Sequence, residues 1–180
     1  MHGNSLQKTQ KATHPQKNVV FYAFNFIGYH VHREYSRISI ITFMRYLLID
    51  KIISIEPNKR IRAIKTVSLS EDIFLDHFPG NPVMPGALMI ESAAQAGTAL
   101  IEISASLKKK AFLVMVQDAK FRSLVRPGKT LTLDLNIVSI DDLSALTECE
   151  IVMNSPGERE ERVAAMTMTF GIRPDRKSVV

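Results

Sequence analysis

At 180 residues, with 46% hydrophobic and 23% charged side chains, the chain has the size and composition of one globular domain, not of a disordered protein. Its net charge of +5 sits almost wholly before position 44, which gives little support to nucleic-acid binding by the remainder. A lone cysteine, Cys149, excludes an internal disulfide and fits a reducing cytoplasm, and no apolar run reaches the roughly 18 residues of a membrane-spanning helix.

Residues 1–17 are polar and without hydrophobic period, the pattern of a disordered segment. Residues 19–27 are apolar and follow lysines, as in a signal peptide. The continuation "GYHVHREYSR" is polar and lacks a small-residue cleavage pattern, which argues against secretion. Lys8, Lys11, Lys17, Arg33 and Arg37 against Glu34 give residues 1–43 a net charge of +4, and the remaining 18 basic and 17 acidic residues give +1. Met44 begins "MRYLLIDKIISIEP", a plausible start for a compact unit. Residues 1–43 are therefore expected to be an extension, disordered or outside the fold, with one domain over 44–180. His2, His14, His30 and His32 fall in the extension, so histidine chemistry in the body must use His77.

From position 44 the elements follow in order. Residues 46–55 are rich in Leu and Ile and end at the turn signal "EPNKR". Residues 60–69 alternate Ile61, Ala63, Ile64 and Val67 with polar partners, imperfectly, as a strand. A loop then leads into a helix, and residues 111–121, 129–140, 144–153 and 162–172 read as four more strands. Their separators, "RPGK", "DD" and "NSPGE", are short enough for antiparallel hairpins, the first less clearly so. The sum is an α+β fold, one long helix packed on an antiparallel sheet.

The helix is predicted from Gly86 to about Leu107, with Pro85 in the first turn, where its missing N–H costs nothing. Its apolar residues nearly encircle the axis, which marks a buried helix, and its alanines and Gly97 permit close approach of a neighbour. Glu91, Gln95, Thr98 and Glu102 form one stripe along it. On its own, that stripe reads as a solvent-facing edge. Burying Glu91 unpaired would instead cost several kcal/mol or force its protonation, an expense that marks functional sites.

His77 opens "HFPGNPVMPG", where two prolines and two glycines fix an irregular backbone ending at the helix N-terminus. The free N–H groups there favour developing negative charge. A base, an acid and an oxyanion site can thus fall in one loop-helix unit. The chain has no H-E-x-x-H and no second body histidine for metalloprotease-type zinc chemistry, and no G-x-S-x-G; Cys149 lies inside a strand pattern.

The segment "HFPGNPVMPGALMIESAAQ" resembles the signature of the FabZ-type 3-hydroxyacyl-[acyl-carrier-protein] dehydratases of the hot-dog superfamily. The similarity extends through "YLLIDKI", "KTVSLSEDIFLDHFPG" and "DAKFRSLVRPGKTLTLDL". It implies a long central helix wrapped by an antiparallel sheet, and a homodimer, alone or as a trimer of dimers, whose sites each combine the histidine of one subunit with the acid of the other. It implies dehydration of a (3R)-3-hydroxyacyl chain, carried on the phosphopantetheine of an acyl carrier protein, to the trans-2-enoyl product in fatty-acid or related lipid or polyketide synthesis. No cofactor, metal, nucleic acid or membrane enters that chemistry.

In that scheme His77 takes the C2 proton and Glu91 protonates the leaving 3-hydroxyl. The Gly86 N–H polarises the thioester carbonyl, and Gln95 orients Glu91 or a water. Val83, Met84 and Phe121 line an acyl tunnel or are ordinary core. Isomerising relatives carry Asp at the position of Glu91, so Glu implies dehydration only. Lys108, Lys109, Lys110, Arg122, Arg126 and Lys129 are candidate contacts for an acidic carrier, or a solvated face. Two other readings are a hot-dog acyl-thioesterase, whose families do not use this His-to-Glu spacing, and a non-catalytic carrier-binding scaffold.

Overall fold

The computed structural model describes residues 46–154 and 159–175. The expected extension over 1–43, and the domain start at Met44, lie outside the described residues. Two strands come first, β1 (Lys51–Glu56) and β2 (Arg60–Thr66), joined across a turn closed by Lys59 N–H on the Glu56 carbonyl. One helical turn, α1 (Ile73–Asp76), precedes the long helix α2 (Gly86–Ser104). Four strands follow: β3 (Lys109–Phe121), β4 (Thr130–Ile140), β5 (Ser144–Asn154) and β6 (Glu161–Pro174). All pairings are antiparallel, in the order β1-β2-β4-β5-β6-β3.

The period-2 pattern gives the sheet one apolar face. Leu131, Leu133 and Leu135 of β4, Cys149 and Ile151 of β5, and Met166, Met168 and Phe170 of β6 are all buried there. Helix α2 lies across this face and touches every strand from β2 to β6. It approaches the sheet tightly at Gly97, where an added Cβ would come within 2.4 Å of the Phe170 ring. The hydrogen at that position is what lets the helix seat directly on the ring.

Several expectations are corrected. "RPGK" is not a hairpin turn, because β3 pairs with β6 at the sheet edge and β4 pairs with β2. Gly128 N–H donates to the Val67 carbonyl and Val67 N–H to the Lys129 carbonyl, which ties this turn to the end of β2. In β2 the side that faces inward is Ile61, Ala63 and Lys65, continued by Val67 just past its end, so Lys65 is buried and Ile64 only half-buried. Helix α2 stops three residues early, since Ser106 and Leu107 adopt positive φ and Leu107 N–H caps the Glu102 carbonyl. The stripe on α2 is not a solvent edge either. Gln95 and Glu102 are buried, while Glu91 and Thr98 are half-buried. Among the described residues no helix is long and apolar enough to cross a membrane.

Candidate active site

Two elements carry the site, and the fold brings their ends together. Helix α1 is a single turn, too short to hold its place alone; Phe74 anchors it in the core. His77 follows as its C-cap and donates its N–H to the Ile73 carbonyl at 3.0 Å. The loop beyond closes on itself. Val83 N–H donates to the His77 carbonyl at 2.9 Å, and a turn over residues 78–81 is closed by Asn81 N–H on the Phe78 carbonyl. Arg126 Nη1 reaches Asn81 Oδ1 at 2.6 Å, and Met84 N–H donates to the Val125 carbonyl, so the middle of the β3–β4 connection braces the loop from outside.

The imidazole of His77 is half-buried and stacked on the Phe78 ring, centroids 4.1 Å apart. Its Nδ1 lies 2.7 Å from the Val83 carbonyl oxygen. A carbonyl only accepts, so Nδ1 carries the hydrogen, and in the neutral ring Nε2 is the nitrogen with the lone pair. One backbone oxygen thus decides which ring nitrogen can act as a base.

Pro85 stands at the N-cap of α2, and Gly86 and Ala87 open its first turn, where N–H groups have no acceptor within the helix. Glu91 follows on the second turn. Its Oε1 accepts from Gln95 Nε2 at 2.9 Å. Gln95 is itself pinned, for its Oε1 accepts the Leu48 N–H at 2.9 Å and its Nε2 also donates to the Tyr46 carbonyl at 2.9 Å. The Leu48 N–H cannot face an NH₂ group, so the amide has one orientation. Glu91 Oε1 is therefore held as an acceptor, and a proton on this carboxyl group resides on Oε2. These contacts also explain why β1 begins only at Lys51: the backbone of residues 46–48 bonds to the helix and not to a neighbouring strand.

Of the other site candidates, Val83 and Met84 are buried, Met84 within the hydrophobic core. Phe121 is exposed, at the end of β3, with its ring tip 3.0 Å from where a Cβ on Gly86 would stand. Among the described residues the His77 ring bonds to Val83 and the Glu91 carboxyl to Gln95, and no hydrogen bond joins the two groups. Burial pushes the Cys149 thiol up to about 12, so it is protonated near neutral pH and no nucleophile. Lys108, Lys109 and Lys110 lie beyond the C-terminal end of α2, about 28 Å of helix from Gly86. There Lys109 pairs with Asp142 and Lys110 with Glu102.

Sequence reasoning missed the Val83 carbonyl and the backbone of residues 46–48. Backbone groups are present at every position and leave no mark in composition. It also passed over Lys65 and Glu71, for which a signal existed: a lysine at the inward parity of a strand.

A long helix clasped by a six-stranded antiparallel sheet is the hot-dog fold, and solved structures agree. The dehydratase heterocomplex ApeI:P from Xenorhabdus doucetiae superposes with a TM-score of 0.59 at 15% identity, over 73% of this chain and 85% of that one. A thioesterase from Haemophilus influenzae does so with a TM-score of 0.53 at 15% identity, over 69% and 78%. A family model described as a FabA-like domain matches residues 42–156, and the chain belongs to that family. Among its relatives, the 3-hydroxyacyl-[acyl-carrier-protein] dehydratase FabZ of Wolbachia pipientis is 46% identical over 96 residues, 53% of this chain and 67% of the relative. The enzyme of the same name from Ehrlichia chaffeensis is 38% identical over 122 residues, 68% of this chain and 85% of the relative.

Proposed function

We propose that the chain is a 3-hydroxyacyl-[acyl-carrier-protein] dehydratase, a hydro-lyase of fatty-acid biosynthesis, with His77 as base and Glu91 as acid. The observation that carries the role of His77 is its Nδ1 contact with the Val83 carbonyl, which leaves Nε2 free to accept a proton. His77 Nε2 takes the C2 proton, and charge moves onto the thioester oxygen, where the Gly86 N–H stabilises it. The C3–O bond breaks as Glu91 Oε2 delivers a proton to the departing hydroxyl, which leaves as water. The trans-2-enoyl thioester remains, and a proton returns from His77 to Glu91 to complete the cycle. Gln95 keeps Oε1 occupied, so Oε2 is the oxygen turned to the substrate. Phe121 stands over Gly86 on the acyl side.

The site is completed by a second copy of the chain. Strand β3 is 13 residues long and, among the described strands, pairs with β6 alone. It exposes Phe112, Val114 and Met115. A long apolar edge of this kind is a pairing surface. Pairing β3 of two protomers supports a dimer in which the His77 of one chain serves the Glu91 of the other. Arg126, bonded to the His77 loop through Asn81, fits an acidic carrier better than the distant lysines. Incubation with 3-hydroxyacyl thioesters tests the activity: enoyl product is expected, and His77→Ala should lower turnover by roughly 10²–10⁴. Free thiol in place of enoyl product would point to hydrolysis instead.

A further inference from the structure

A buried lysine on the inner face of β2 has no part in the chemistry above. Lys65 stands between Ala63 and Val67 at the inward parity, 5% exposed. An amine there is costly unless paired, and its Nζ lies 2.8 Å from Glu71 Oε1. The same oxygen accepts the Ser68 N–H at 3.2 Å, and Glu71 N–H donates back to the Ser68 carbonyl. The Glu71 carbonyl then accepts Phe74 N–H at 3.0 Å, starting α1, and α1 ends on His77. An unbroken run of contacts therefore joins the end of β2 to the histidine. Leu75 and Asp76 are exposed, so α1 is fastened through Phe74 in the core, Ile73 packed against it, this ion pair and its backbone.

We propose that the ion pair of Lys65 with Glu71 is a positioning device for His77: it fixes the height of α1 above the sheet, and with it the place of the imidazole. The inference rests on the assignment of His77 as the base. An apolar pair of similar volume would hold the fold as well or better, but it would not set a distance. A charged pair at hydrogen-bond length does, and a displacement of about 1 Å at a reacting group can cost about 10²-fold in rate.

The test uses the full chain and two variants. Lys65→Met with Glu71→Leu replaces the pair by apolar contact, and Glu71→Asp keeps the charges but shortens the tether by one bond of roughly 1.5 Å. Both should fold with melting temperatures near the parent's and bind substrate with KM within about threefold, while kcat falls at least about tenfold. Parental kcat in a folded apolar variant would show the pair to be structural only and overturn the proposal. Should that variant not fold, Glu71→Asp decides alone: lower kcat at constant KM supports positioning, and unchanged kcat overturns it. A parent chain that dehydrates no 3-hydroxyacyl thioester would sink the activity itself, before any variant is compared.

Discussion

Single residues in this chain owe their state to where the backbone places them. Glu102 is the plainest case. It is 4% exposed, accepts the Ala111 N–H at 3.2 Å, and has Lys110 Nζ at 3.5 Å. Burial outweighs the lysine and raises its carboxyl pKa above the ordinary value. A raised folded-state value means that the native chain holds this proton more tightly than the unfolded chain. The stabilisation is thus complete below the unfolded value near 4.5 and is lost as pH rises through the folded one. Glu102→Gln keeps the acceptor for Ala111 and has no charge to bury. We predict that its melting temperature, relative to the parent, improves from about pH 4.5 upward and then levels off. Calorimetry of both chains between pH 4 and 8 checks this, and a constant difference over that range refutes it.

At the scale of the element, α2 illustrates how two glycines on one helix do different work. Gly97 faces the fully buried Phe170, whose ring would lie 2.4 Å from an added Cβ. Gly97→Ala must push ring and helix apart inside a packed core, at an expected cost of about 1–3 kcal/mol. Gly86 faces the exposed tip of Phe121, 3.0 Å from an added Cβ, and that ring can swing into solvent. Gly86→Ala should therefore keep its melting temperature and lose activity, because the methyl group and displaced ring occupy the approach to the first-turn N–H groups. Denaturation and turnover measured on both variants separate the two effects; equal destabilisation of the two would contradict the packing argument.

For the whole molecule, the question is which chains supply His77 and Glu91 to one site, since among the described residues no hydrogen bond joins the two. If each site draws one residue from each protomer, His77→Ala and Glu91→Ala should both be nearly inactive. Unfolded together and reassembled, they should form hybrid dimers with one site doubly substituted and the other intact. Random pairing makes half the dimers hybrids, so about a quarter of parental activity should return, given a closed two-fold dimer with independent sites. Exchange shown by mass spectrometry without recovery of activity would assign the site to a single chain.

The sequence by itself determined what is contiguous or periodic. The run from His77 to Gln95 holds the candidate base, the candidate acid and the helix N-terminus in one stretch, so the proposed chemistry is legible without a fold. The alternation in β4, β5 and β6 likewise marks strands with one buried face, because side chains on a strand repeat every two residues. What only the tertiary structure decided are meetings between residues distant in the chain. Nothing local says that β3 crosses to β6, that residues 46–48 pin Gln95, or that Lys65 turns inward to meet Glu71. Periodicity states which side of an element is buried but not what covers it. The partner of a buried polar group is chosen by the packing of the whole sheet around α2.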